Sequence, residues 1–98
     1  MTEAEFRGAR LLAALSNVIR FRIVLLLEKQ RMTPAELAGA LRRTVPRISH
    51  HLAILRAAEV VRFKVLNGRH TYWLKQPATA KLCRQATELA KKMSRPEN

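Results

Sequence analysis

Apolar and polar positions divide the chain into short segments whose period changes twice. Between about Glu3 and Leu15 an alanine-rich stretch sets Phe6, Ala9 and Ala13 on one side at helical spacing. Gly8 weakens that helix by about 1 kcal/mol relative to alanine unless close packing needs the small residue. Asn17 can cap a second helix from about Val18 to Lys29, where Val18, Ile19, Phe21 and Ile23 to Leu27 occupy too many faces for a surface position. This helix is expected at the centre. Thr33-Pro34-Ala35-Glu36 then combines a Thr cap, a Pro at the first helical position and a capping-box Glu, which predicts a short helix ending near Leu41. Thr44 offers another cap, with Pro46 just inside, for a helix to about Ala58. Two short helices joined by a turn of this length form a helix-turn-helix.

Beyond that point the period falls to two. Val61, Phe63 and Val65 alternate with Arg62 and Lys64, as in a half-buried strand, and Asn67-Gly68 supplies the positive φ values of a type I′ turn. Arg69 to Leu74 reads as the returning strand, rich in β-formers. Pro77 opens a last helix to about Met93, in which Leu82, Ala86, Leu89 and Met93 fall at i, i+4, i+7 and i+11. The expected architecture is mainly α with a β-hairpin wing: a winged helix-turn-helix. One domain over residues 1–98 is expected, with the helix-turn-helix at about 34–58, the wing at about 60–75 and the last helix at about 78–93.

Composition narrows the partner. Ninety-eight residues with 48% apolar content suit one domain with a real core. Lys and Arg total 19 against seven acids, all Glu, for a net charge of +12 and an isoelectric point near 11.5. Such an excess calls for a polyanion, either nucleic acid or an anionic membrane surface. No apolar run is longer than that of Ile23 to Leu27, far too short to span a bilayer, and no membrane partner is expected. The opening Met1-Thr2-Glu3-Ala4-Glu5 is acidic where a signal peptide needs basic residues. A single cysteine excludes a disulfide framework and four-Cys zinc sites and suits a reducing compartment. A cytoplasmic, nucleoid-associated module is the resulting expectation.

Placing Ile48, Leu52 and Leu55 inward puts Pro46, His50, Ala53 and Ala57 on the opposite face of the second helix of the helix-turn-helix, with Arg47 and Ser49 on its flanks. The first half of such a helix approaches base edges in the major groove. Arg47 can make a bidentate contact to guanine, Ser49 or His50 a single hydrogen bond, and Ala53 permits close approach. Thr44 and the free N–H groups at the helix start can hold a phosphate. Arg42, Arg43 and Arg56 add charge, and Arg69 at the hairpin tip can enter the minor groove or hold a phosphate. From Arg42 to Lys75 eight basic side chains stand against Glu59 alone, a net +7 of the chain's +12. His51 turns toward the buried flank and is expected to orient the helix through a backbone hydrogen bond. Tyr72 and Trp73 are expected to pack the hairpin, since five aromatics are too few for a single-strand stacking surface.

Three strings carry a resemblance to a known family. Leu15-Ser16-Asn17-Val18-Ile19-Arg20-Phe21-Arg22-Ile23 is similar to a Leu-Ala-Asp-Pro-Thr-Arg-Leu-Arg-Ile opening. Val45-Pro46-Arg47-Ile48-Ser49-His50-His51-Leu52-Ala53-Ile54-Leu55-Arg56 is close to a recognition-helix string centred on Ser-His-His-Leu. Asn67-Gly68-Arg69-His70-Thr71-Tyr72-Trp73 looks like a wing motif, Gly-Arg-His-Val-Tyr-Tyr. In this order and spacing, over about Leu15 to Lys75, the chain resembles the ArsR (ArsR/SmtB) family of small dimeric transcriptional repressors. Where members often carry Gly, in the turn and after the recognition helix, this chain has Arg42 and Glu59. Either the backbone keeps a positive φ there at a strain of order 1 kcal/mol each, or the turn is changed.

The resemblance implies a two-fold dimer built from the first and last helices, for which the material is Phe6, Ala9, Leu12, Ala13, Leu82, Ala86, Leu89 and Met93. Many members release DNA when a metal or thiol oxidation alters the dimer. Their metal sites use cysteines near the first helix of the helix-turn-helix, or His and carboxylates on the last helix. Here Arg31 to Ala38 contains no Cys, and the last helix has Cys83 and Glu88 but neither His nor Asp. No metal and no cofactor are therefore expected, while the inducer stays open. Cys83 remains, either as a candidate redox residue with Lys81 and Arg84 beside it to favour the thiolate or, the commoner fate of a lone cysteine, as helix packing. The function expected is a homodimeric, sequence-specific repressor of double-stranded DNA binding a palindromic operator. The alternative is an architectural protein that coats DNA without base readout, and a third reading is a winged helix that binds protein. No nucleophile–base pair, paired carboxylates or phosphate-binding glycine loop marks an enzyme.

Overall fold

A computed structural model describes residues 1–94; residues 95–98, Pro96 among them, lie outside the described part, as does that end of the expected domain. Five helices and one hairpin follow in the order α1 (Glu3–Leu15), α2 (Val18–Lys29), α3 (Pro34–Leu41), α4 (Val45–Ala57), β1 (Val61–Leu66), β2 (Arg69–Leu74) and α5 (Ala78–Met93). The expected boundaries hold to within a residue or so because the caps are local chemistry. Asn17 Oδ1 accepts from the N–H groups of Ile19 and Arg20 at 2.8 and 3.2 Å. Thr33 and Glu36 close a reciprocal capping box at the start of α3, and Thr2 with Glu5 closes another on α1. Those boxes satisfy N–H groups that every helix start leaves without an internal partner.

α2 is the central element, packed against α1, α3, α4, α5 and β2. Its Ile23, Val24 and Leu27 join Leu37, Ile48, Leu52, Leu55, Val60, Val61, Leu74, Ala80 and Cys83 in one core. Val18 is a correction to the all-round burial expected of α2: at the first helical position it faces solvent. The strands pair antiparallel from Val61↔Leu74 to Leu66↔Arg69, and the turn takes Asn67 and Gly68 through φ of 52° and 76°, as a type I′ turn requires.

Two features depart from the sequence reading. Met32 exchanges both backbone hydrogen bonds with Tyr72, at 3.1 and 2.8 Å, and so covers part of the outer edge of β2. A one-residue bridge has no period to reveal it. The alternation expected of β1 also fades along the strand. Val61 is buried, Phe63 is half-buried, and Val65 is 57% exposed. Only the base of the hairpin rests on α4 and the core, and the tip overhangs. The radius of gyration, 14.8 Å, exceeds the roughly 13 Å of a compact chain this long. Together with the exposure of the last two turns of α5, it marks a molecule with projecting parts.

Candidate nucleic-acid interface

The turn between α3 and α4 decides where α4 points. α3 ends with Arg42 in the left-handed region (φ 54°, ψ 50°), and the Arg43 N–H reaches back to the Ala38 carbonyl at 3.0 Å. α4 ends in the same manner. Glu59 has φ 62°, its N–H donates to Arg56 O at 2.9 Å, and the Val60 N–H donates to Leu55 O at 2.9 Å. This is the paired 5→2 and 6→1 pattern of a Schellman end, with the apolar Val60 folded into the core beside Leu55. Of the two alternatives left by the missing glycines, the structure takes the first: both turns keep positive φ, and non-glycine residues bear the strain.

Thr44 caps α4 by accepting from the Arg47 N–H at 3.3 Å, which leaves its hydroxyl hydrogen available to donate. Ile48, Leu52 and Leu55 are fully buried. The opposite face is open: Pro46, Arg47, Ser49, His50, Ala53 and Ala57 are all exposed. Among the described residues none of Arg42, Arg43, Arg47, Arg56 or Arg69 has a carboxylate within ion-pair distance. The few acids have been used elsewhere, Glu59 on Lys75 at 2.7 Å and Glu28 on Arg84. Uncompensated cations around a short-side-chain helix face present a field and a shape suited to a polyanionic groove.

Several side chains have duties that spacing did not reveal. The Arg43 guanidinium donates to the carbonyls of Leu41 and Arg42 at 3.3 and 3.1 Å, closing the turn on itself. The Arg56 guanidinium lies 4.6 Å from the Phe63 ring centroid, and Phe63 in turn meets His70 edge-on at 4.6 Å and Tyr72 at 5.2 Å. Arg56 is thus tied to the wing rather than grouped with Arg47, Ser49 and His50. Arg69 is exposed at the start of β2, and its charge helps slightly to hold the Glu36 carboxyl below its ordinary value, behind the larger effect of the Thr33 hydrogen bonds. Trp73 packs under Arg31, 4.6 Å from the ring centroid. His51 corrects the expectation of a backbone hydrogen bond: its Nδ1 lies 3.3 Å from Nη1 of Arg20. Burial first, and then the charges of Arg20, His50 and Arg47, push its pKa below the usual 6.5.

The arm residues belong to α1 and α5. Phe6, Leu12, Leu89 and Met93 are 50%, 56%, 58% and 76% exposed, and Ala9, Ala13 and Ala86 are exposed as well. Leu82 is half-buried against its own core and shares with Leu11 a cleft of about 580 Å³ between α1 and α5. Cys83, the redox candidate, sits 1% exposed in the core. Burial, reinforced by the Glu28 carboxylate, pushes its thiol up. The cationic help expected from Arg84 is absent because Arg84 is paired with Glu28. Among the described residues no three His, Cys, Asp or Glu side chains gather around a space that fits a metal ion, and no helix is long and apolar enough to cross a membrane.

A capped helix-turn-helix, an open cationic second helix and a hairpin beside it define a winged-helix DNA-binding regulator. Residues 17–62 match the family model of the bacterial regulatory proteins of the arsR family. Solved structures share the fold. The transcriptional regulator HlyU from Vibrio vulnificus is 25% identical with a TM-score of 0.76, over 89% of this chain and 91% of that one. A homodimeric winged helix-turn-helix DNA-binding domain from Mycobacterium bovis is 21% identical with a TM-score of 0.80, over 95% and 90%. The transcriptional repressor BigR from Xylella fastidiosa is 21% identical with a TM-score of 0.74, over 97% and 94%. No curated protein sequence matches the chain. The chain is thus similar, over residues 17–62, to the arsR-family regulators and shares the winged helix-turn-helix fold of these transcriptional regulators.

Proposed function

We propose that this regulator is a homodimeric, sequence-specific repressor that binds a palindromic operator in double-stranded DNA. One observation carries the reading: the α4 face of Pro46, Arg47, Ser49, His50 and Ala53 is open, and no acid among the described residues neutralises its cations. Arg47 reads guanine, Ser49 and His50 add single hydrogen bonds, and Ala53 lets the helix seat deeply. Arg42, Arg43, Thr44, Arg56 and Arg69 hold phosphates on either side, Arg56 and Arg69 from the wing edge. The exposed apolar positions of α1 and α5, Phe6, Ala9, Leu12, Ala13, Ala86, Leu89 and Met93 with the outer part of Leu82, meet their copies across a two-fold axis. The homodimeric relative supports that arrangement. Two α4 helices then address half-sites one turn of DNA apart, roughly 34–36 Å.

On this reading all 98 residues form one DNA-binding domain, which works in the cytoplasm at the nucleoid without a metal or cofactor. The test is selection from random duplexes, then titration against the winning and scrambled sequences with a chelator present. A repressor prefers the winner by roughly 10³-fold or more. Equal affinities identify an architectural DNA-coating protein instead. Salt dependence is steep for both and does not separate them.

A further inference from the structure

Arg20 belongs to α2 and lies off the open basic face; its guanidinium is turned inward and is partly buried. Nε donates to the carbonyl oxygen of Ala14 at 2.6 Å, while Nη1 reaches Nδ1 of His51 at 3.3 Å. Ala14 is in the last turn of α1, where carbonyls have no partner within the helix. α1 has no basic residue of its own in that turn, so Arg20 also supplies the positive charge that a helix C-terminus favours. His51 sits midway along α4. One side chain of the central helix therefore joins the end of the arm helix to the middle of the reading helix.

The contact dictates a protonation state. A guanidinium has only N–H donors, so Nδ1 of His51 must accept, and the imidazole is neutral with its proton on Nε2. The charged and titratable groups around it are Arg20 from α2, and His50 and Arg47 from α4. The neighbouring groove between α1 and α4 adds Glu3, Arg7, Arg10 and Glu59. Cations dominate next to the ring, which favours the neutral, accepting form at neutral pH. Uptake of a proton turns the acceptor into a donor and sets two cations face to face, and the bridge opens.

We propose that Arg20 is a positioning residue for DNA reading: by spanning Ala14 O and His51 Nδ1 it locks α4 onto α1, and so fixes the tilt of the reading helix relative to the helix that sets the dimer. This rests on the dimeric DNA-binding reading above. The core residues Ile48, Leu52 and Leu55 hold α4 in place but are apolar and non-directional; the Arg20 bridge adds the directional restraint.

The test uses the full chain and two variants. Arg20→Gln removes the bridge. His51→Asn keeps an acceptor oxygen near the Nδ1 position but cannot take up a proton. Imidazole nitrogen NMR reads the tautomer, sedimentation reads the dimer, and titration of the selected duplex is repeated from about pH 8 down to about pH 5, across the range of histidine. The expected results are the Nε2–H tautomer for His51, and affinity in Arg20→Gln lowered roughly tenfold at neutral pH, the worth of a charged hydrogen bond, with the dimer intact. The unaltered protein loses affinity relative to His51→Asn as the pH falls, whereas Arg20→Gln shows no such added loss. Charge taken up by other groups is common to all three proteins. An Nδ1–H tautomer, or variants that keep both the affinity and the pH profile of the unaltered protein, overturns the proposal. If Arg20→Gln melts early, the His51→Asn profile decides alone. Failure of the unaltered protein to bind any duplex, with the tautomer as expected, instead identifies the DNA-binding reading beneath it as the fault.

Discussion

The helix-turn-helix half and the arm half of this molecule are both open to solvent, but with opposite chemistry. Around α4 the exposed side chains include cations without a carboxylate partner, while Ile48, Leu52 and Leu55 are inside. On α1 and α5 the exposed residues include Phe6, Leu12, Leu89 and Met93, while several charges pair within and between helices, Arg7 with Glu3, Lys91 with Glu88 and Arg84 with Glu28. Unpaired charge is stable in water and is drawn out of it only by an opposite field. Exposed hydrocarbon is unfavourable in water and is relieved by burial. The same small chain thus presents two kinds of open surface, one suited to a polyanion and one apolar, which the proposed second copy would bury.

The largest expected effect breaks the arm side of this contrast. Leu89→Glu puts a charge where the second copy is proposed to bury hydrocarbon. Losing one Leu costs about 1.5–3 kcal/mol of burial, and two-fold symmetry counts it twice. Sedimentation is expected to show monomer at concentrations where the unaltered chain is dimeric, with operator affinity falling in parallel and little change in the melting temperature of the monomer. An unaltered dimer would remove α5 from the interface. Next in size, Arg47→Ala is expected to cost about 1–3 kcal/mol of binding and to relax preference at one base pair of each half-site. Titration of a panel of single-base operator variants measures this, and a uniform loss across the panel makes Arg47 a phosphate contact instead.

Both halves were readable where the chemistry is local. Thr33-Pro34-Ala35-Glu36, Asn17 and Asn67-Gly68 each act over four residues or fewer, and the helix starts and the turn fall where they point. The inward stripe Ile48, Leu52 and Leu55 was readable too, because one helix period sets it. What escaped depends on chain segments that meet only after folding. The Met32–Tyr72 bridge joins residues 40 apart, and the Arg20–His51 contact spans 31. Arg56 counts as one more cation in a list, yet Phe63 holds its guanidinium against the wing. The strand pattern of Val61, Phe63 and Val65 misled for a related reason. Alternation reports which side a residue faces, and not whether any core extends far enough to cover it.

A smaller effect contrasts the two left-handed turn residues, which share a backbone demand but differ in their side chains. Arg42→Gly is expected to raise stability by about 0.5–1 kcal/mol, the relief of a left-handed L-residue less the entropy that glycine adds to the unfolded chain. Glu59→Gly is expected to gain less, because Glu59 also holds Lys75 at 2.7 Å. Thermal unfolding measures both. A loss on Arg42→Gly would mean that the Arg42 side chain does more for the turn than its geometry indicates.

The smallest effect asks whether the two halves respond differently to one chemistry. Glu5 on α1 and Glu36 on α3 occupy the same capping position: each carboxylate accepts from the threonine N–H three residues before it, at 2.7 and 2.9 Å. In both, those hydrogen bonds hold the carboxyl below its ordinary 4.5. A depressed pKa in the folded state means that the stabilisation is fully present above that ordinary value and is lost as pH falls through the lower, folded one. Both boxes should therefore open in the same acid window. The consequences should differ, because α3 is pinned by Leu37 and Ala38 in the core, whereas the first turns of α1, from Glu3 to Arg10, are exposed throughout. Amide hydrogen exchange below about pH 4 is expected to show early fraying at Glu5 and Phe6 while Glu36 and Leu37 remain protected. Equal protection at the two starts would mean that the arm is held by contacts beyond its own fold, as a dimer resistant to acid would hold it, and the same exchange measured on Leu89→Glu would then restore the difference.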